Sequence, residues 1–261
     1  MDLIRISRYA CLYGMYYFNR MTRQGAFGND GAQYLDAASA AGSNPLKAAL
    51  ARHYVKQYTD AACSAASVVA VVNALGITEN PEFATIRQED ILETVRTGHW
   101  KERMGKNGHQ GRRGVPLPLL GRIVQSSLDA YRIGYLSVET VPVSKDPERV
   151  PALKKDLLRV LLGFEEMGSC LVIAHFDQGA YVRDLNIPHI SPVGGFDRKT
   201  GRVTILDVDP YQAGPYRIGF DVFYRGMASN YYNLYRRFGY GSGGYVAVRL
   251  GRAGSKKNQN V

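Results

Sequence analysis

The chain predicts an α+β fold, with helices gathered in its first two-thirds and strands in its last third. Three observations carry that expectation. The run CSAASVVAVVNALG, from Cys63 to Gly76, is an unbroken stretch of small and apolar residues, too long for one strand and rich in alanine. From Cys170 onward the texture changes to short β-branched runs, beginning with CLVIAHF at 170–176. Between the two textures lies no internal repeat and no long linker, so the chain reads as one domain of two lobes, helical first and antiparallel β second. Its 261 residues, 45% apolar with 18 tyrosines, are enough to bury a proper core.

Residues 1–44 form an N-terminal extension. Its start, MDLIRISRYACLYGMYYFNR, scatters charges among apolar residues and lacks the continuous apolar core of a secretory signal. It suits an amphipathic helix or part of an upstream region. Residues 24–45, rich in Gly, Ala, Ser and Asn, read as a loose entry segment. Pro45 then opens the short helix LKAALARHY, since proline fits the first helical turn. For the helix at Cys63–Gly76, Thr59 or Asp60 is the expected N-cap and Gly76 the expected stop. RQEDILETVRT, residues 87–97, is a second amphipathic helix. Residues 116–134 carry apolar side chains at helical spacing, followed by the extended YLSVETV. A charged amphipathic helix is expected over about 148–167. Strands follow at 170–176, 189–196, 202–208 and 244–250, with DRKTG making a hairpin turn between the second and third. Residues 251–261 have no apolar periodicity and read as a disordered basic tail.

Thirty-three basic against 23 acidic residues give a net charge of +10. Part of it sits in the stretch from Arg96 to Arg113, with Lys101, Arg103, Lys106 and Arg112, and with His99, Trp100 and His109 among them. No recognised nucleic-acid motif surrounds this stretch. It reads as a solvated Gly-rich loop rather than an RNA site, with attraction of anionic small substrates as a middle reading. The three cysteines, Cys11, Cys63 and Cys170, offer neither a disulfide framework nor a CxxC cluster, which points to a reducing compartment and a cytoplasmic location. No apolar run reaches the roughly eighteen residues a membrane-spanning helix needs.

A thiol, an imidazole and a carboxylate are the parts of a thiolate acyl-transfer site, and each is found here in a suitable context. Cys63 opens a helix, where the macrodipole favours the thiolate; alone, it reads as readily as a small buried hydrophobe. Gln57, six residues upstream, can turn its amide back toward the sulfur and form an oxyanion hole with the Cys63 N–H. His189 begins a strand and Asp207, eighteen residues on, ends its hairpin partner. The pair can meet across the ladder, the carboxylate orienting the imidazole as general base, with a purely structural pair as the competing reading. Asp209 is the near rival to Asp207, and Cys170 reads as core.

These residues resemble the phytochelatin synthase family, of the papain-like cysteine peptidase clan. The family's nucleophile segment, Q-x5-C-G-[LV]-A-S with a following N-[AS]-L, is matched by Gln57, Cys63-Ser64-Ala65-Ala66-Ser67 and Asn73-Ala74-Leu75. Its G-H-[FI]-S-P block and [IL]-[LM]-D-V strand are matched by Pro188-His189-Ile190-Ser191-Pro192 and Ile205-Leu206-Asp207-Val208. The likeness covers about residues 45–250, the expected catalytic domain. It implies a papain-like two-lobed fold in which Cys63 is the nucleophile, His189 the base and acid, Asp207 its orienter and Gln57 the oxyanion donor. It implies attack on the Cys–Gly bond of glutathione, or a related thiol peptide, with transfer of the γ-glutamylcysteinyl group to water or a second glutathione. No cofactor is required on this reading. Heavy-metal–thiol complexes stimulate the reaction if family behaviour is retained, and a homodimer is left open. The chain departs from the pattern at Ser64 and Pro188, where the family has glycines, and at Pro210, where it has an arginine. Ser64, Pro188 and the nearby Arg217 are therefore the expected substrate-binding residues. Another papain-like peptidase or amidase activity, or a non-catalytic basic binding module, are the alternative readings.

Overall fold

Among the described residues seven strands form one sheet, with order β1-β6-β5-β4-β3-β7-β2 and every neighbouring pair antiparallel. They are β1 (Gln33–Tyr34), β2 (Ser137–Pro142), β3 (Cys170–Asp177), β4 (Pro188–Asp197), β5 (Arg202–Ile205), β6 (Tyr216–Gly219) and β7 (Gly244–Arg249). Seven α-helices among the described residues accompany them: α1 (Pro45–His53), α2 (Cys63–Glu79), α3 (Gln88–Thr94), α4 (Trp100–Met104), α5 (Leu117–Ala130), α6 (Val150–Leu162) and α7 (Phe220–Met227). The computed structural model describes residues 32–36, 44–182, 187–228 and 243–251, together with a few isolated positions. The expected N-terminal helix, most of the entry segment and the tail beyond residue 251 lie outside them. The observed fold is α+β, as the order of textures predicts.

The central helix explains the layout. Every residue of α2 from Cys63 to Gly76 is buried, because the segment is apolar all round and has no face for water. It packs on β4, where the Ser67 hydroxyl donates to the Ile190 carbonyl at 3.0 Å. Asn73, from the N-A-L motif, ties the next loop to the helix: its amide donates to Ile86 O and accepts from Ile86 N–H, both at 2.9 Å. β3 and β4, continuous with the same core, are buried along almost their whole length.

Several expected boundaries move for physical reasons. Neither Thr59 nor Asp60 caps α2. A turn closed by Ala62 N–H on Thr59 O leaves Ala62, which has no side-chain acceptor, at the cap. Gly76 does not stop the helix, which runs on to Glu79. The Phe83 ring lies where a Cβ at residue 76 would sit, 2.5 Å from that position, so the missing side chain serves close packing. β5 ends at Ile205 rather than 208, because the carbonyls of Asp207, Val208 and Asp209 are bonded to the segment before α2 instead of to a strand. The charged helix ends at Leu162 and is followed by a π turn over Gly163–Met167.

The basic stretch is more ordered than a solvated loop. Trp100 is fully buried and donates its indole N–H to the Ser64 hydroxyl at 2.9 Å. Left-handed backbone at Gly98 (φ 61°) and His99 (φ 57°) makes the sharp entry into α4. Arg103 folds back to donate to Gly98 O at 2.9 Å.

Candidate active site

α2 and β4 deliver the first two groups. Cys63 is the first residue of α2, almost buried at 8% exposure. Ser67, one turn further along the same face, is bonded to Ile190, the residue after His189, so that face looks onto the base of β4. His189 is buried, pairs in register with Phe176 and receives the Phe176 ring edge-on at 5.5 Å between centroids. Its Nε2 is 2.8 Å from Asp207 Oδ1, and the Cys63 thiol is its electrostatic neighbour. With Nε2 on the carboxylate, Nδ1 is the nitrogen left for sulfur.

The carboxylate is fully buried and fully engaged. Asp207 Oδ1 also accepts the Asp209 N–H at 2.9 Å, and Oδ2 accepts the Tyr216 hydroxyl at 2.6 Å. Burial opposes the charged form of Asp207. His189, the Tyr216 hydroxyl and the Asp209 N–H outweigh it, so the carboxyl titrates below its ordinary range. The same contest runs at His189: burial disfavours the imidazolium, yet the Asp207 charge and the Cys63 contact hold its pKa well above the ordinary histidine value. His175, also buried, is pushed down to about 4, because burial outweighs its backbone hydrogen bonds, among them the one to the Val115 carbonyl at 3.2 Å. Two histidines of the same sheet are thus sorted into a charged and a neutral one by the presence of a carboxylate.

The segment between α1 and α2 fastens the Asp207 region to the nucleophile helix. The Tyr54 hydroxyl and Lys56 Nζ both donate to the Asp207 carbonyl, the latter at 2.8 Å. Lys56 also reaches Asp209 O at 3.0 Å and Gln212 O at 3.3 Å. Its ammonium titrates below the usual lysine range, because burial outweighs the pull of Asp207 and Asp209. Gln57 N–H donates to Val208 O at 2.8 Å, while its side-chain Oε1 is buried and has no partner within the protein. An amide held by its backbone but unspent at its side chain is free to turn to a ligand.

The structure therefore brings together Cys63, His189 and Asp207, and keeps Gln57 on the strap that holds Asp207. It does not bring the expected substrate-binding residues to the same place. Ser64 is 0% exposed, its hydroxyl accepting from Trp100 and lying 3.7 Å from Met104 Sδ, so its side chain is engaged in the core. Pro188, half-buried, pairs with Asp177 at the start of β4, on the face opposite His189. Arg217 follows Tyr216 on β6 and projects from the other face of the sheet, where its charge acts on Asp197. Asp209, the rival carboxylate, accepts from Gln178 Nε2 at 2.8 Å and from Tyr211 N–H at 2.9 Å. Cys170 is a buried free thiol, as expected of core. Sequence reading missed Tyr54, Lys56 and Tyr216, none of which sits in a motif. Among the described residues no cluster of three or more His, Cys, Asp or Glu is placed to hold a metal ion, and no helix is long and apolar enough to cross a membrane.

An α+β fold that buries a thiol, an imidazole and a carboxylate beside one another holds the parts that thiol-dependent acyl-transfer enzymes use. The phytochelatin synthase family model matches residues 26–240. The chain belongs to that family, an enzyme family of acyltransferase or peptidase-like character whose fold is papain-like. No curated protein matches the chain.

Proposed function

We propose that this protein is a cysteine-nucleophile acyltransferase or hydrolase that cleaves the Cys–Gly bond of glutathione or a closely related γ-glutamyl thiol peptide. The observation that carries the reading is the buried His189–Asp207 pair with the Cys63 thiol beside its imidazole. The Cys63 sulfur attacks the cysteinyl carbonyl carbon, and the carbonyl oxygen takes up negative charge. The Cys63 N–H and the Gln57 amide are the donors for that charge. His189 then gives its proton to the departing glycine nitrogen, the C–N bond breaks, and a γ-glutamylcysteinyl thioester remains on Cys63. His189 next takes a proton from water or from the amine of a second glutathione as it attacks, and the thiolate leaves. Asp207 keeps the imidazole oriented and stabilises its charged form. No cofactor enters these steps. A heavy-metal thiolate of the peptide, where it stimulates turnover, does so as substrate.

Intact-mass measurement after brief exposure to glutathione tests this. A γ-glutamylcysteinyl adduct on Cys63 with release of glycine is the expected result, and Cys63→Ala abolishes both. Full glycine release by Cys63→Ala would discard the reading. A second reading, a papain-like peptidase or amidase for a different peptide, is favoured by one observation: Pro210 replaces the family arginine, and Arg217 projects from the opposite sheet face. Cleavage of other acyl-amide peptides in the absence of glutathione turnover would select it.

A further inference from the structure

Asp207 is held from two sides. Oδ1 meets His189 Nε2 and the Asp209 N–H, and Oδ2 takes the Tyr216 O–H at 2.6 Å. The Tyr216 ring is itself fixed. It is fully buried, it lies edge-on to Tyr34 at 5.8 Å, and its strand is paired on both sides. We propose that Tyr216 is a positioning residue for the Cys63–His189 pair, acting through Asp207 to lock the carboxylate in place and to loosen the hold of His189 on its proton. This rests on the chemistry proposed above only for its effect on turnover.

The direction follows from charge. A hydroxyl donated to Oδ2 is strongest when the His189–Asp207 unit is net negative, that is, when the imidazole is neutral. It is weaker when imidazolium and carboxylate cancel. The Tyr216 bond therefore favours release of the His189 proton, and its removal leaves the imidazolium more persistent. Tyr216 remains a donor throughout, since burial and the nearby Asp207 charge push its pKa well above the ordinary phenol value. The other titratable groups that face this unit are Cys63 from α2, His175 from β3, and Asp209, whose carboxylate is bonded to Gln178. Tyr54 and Lys56 sit on the Asp207 carbonyl, and Tyr34 and Tyr181 flank the Tyr216 ring.

The test reads Cys63 directly, without substrate: the rate of its alkylation by iodoacetamide against pH, with Cys63→Ala as the blank. In Tyr216→Phe the upper inflection, which marks loss of the His189 proton, moves up by about 0.5 to 1 pH unit. Turnover falls about tenfold in kcat with KM unchanged. Tyr34→Phe, which alters the neighbouring ring but not the bond to Asp207, keeps the wild-type inflection. In an Asp207→Asn background, Tyr216→Phe adds no further shift. Uniform 3-fluorotyrosine, which strengthens phenol donors, moves the inflection down in protein that retains Tyr216, so the proposal is tested even if Tyr216→Phe fails to fold. An inflection that stays put in Tyr216→Phe, or a shift of equal size in the Asp207→Asn background, overturns the proposal. A shifted inflection in a protein that releases no glycine supports the role of Tyr216 and discards glutathione as substrate.

Discussion

Two regions of this molecule place a histidine ring against a partner, with opposite electrostatic results. In the site, His189 is buried beside a carboxylate, and its charged form is favoured. In the basic stretch, His99 and His109 stack face to face at 3.8 Å with their planes 5° apart. There, desolvation, His99 and Arg103 lower the pKa of His109. A ring in the core keeps a proton because a counter-charge was buried with it. In the basic stretch desolvation comes first, His99 and Arg103 add to it, and no buried carboxylate among the described residues opposes them. Desolvation pushes both rings toward the neutral form; the buried carboxylate reverses it only at His189.

The largest effect that could break this contrast is catalytic. Cys63→Ala or His189→Ala should lower glycine release from glutathione by at least ~10³-fold, while His109→Ala leaves it within about twofold. Steady-state kinetics of the three variants decides whether the chemistry belongs to the buried ring or to the basic stretch. Next comes Asp207→Asn, expected to cost ~10²–10⁴ in kcat by releasing the imidazole from its oriented, charged form.

The same substitution sharpens the comparison thermodynamically. The folded-state pKa of Asp207 is depressed, so its contribution is complete above pH 3.8 and is lost as pH falls through its folded value. The folded-state pKa of His189 is raised, so its contribution is complete below pH 6.5 and is lost as pH rises through its folded value. The Tm gap between wild type and Asp207→Asn should therefore be widest between these two pH values, as read by thermal melts across pH. Smaller is Ser64→Ala, which strips the buried Trp100 N–H of its acceptor. It should cost about 1–3 kcal/mol in chemical denaturation, with kcat little changed. Smallest is the stack itself. Because the pKa of His109 is lowered, its contribution is lost as pH falls below 6.5, and amide exchange at His109 and Arg112, whose backbones pair, should quicken there once corrected for intrinsic rates.

Cys63, His189 and Asp207 were legible because each carries its context in adjacent residues: a helix start, a strand start and a strand end. The three expected substrate residues lie away from Cys63, His189 and Asp207 for a shared reason. Ser64, Pro188 and Arg217 were chosen for nearness in the chain to a motif or to the departure at Pro210, and chain neighbours point elsewhere. The next residue on a helix is turned by about 100°, and on a strand it lies on the opposite face. Ser64 accordingly meets Trp100, while Pro188 lies across from His189. Tyr54, Lys56 and Tyr216 were invisible for the converse reason, since their importance arises only from contacts across the fold. β6, four residues long, is too short to show a period, and the four-residue β5 looked longer because its apolar pattern continues past the point where its carbonyls change partners.

The strap from Tyr54 to Gln57 also sets the order in which a growing chain acquires its reactivity. Its bonds to the Asp207 carbonyl span 153 and 151 residues of sequence. A ribosome therefore releases Cys63 well before it has made His189, Asp207 or Tyr216. Under the proposed chemistry the unfinished polypeptide carries a thiol without its base, and turnover begins only when synthesis and long-range docking have both finished.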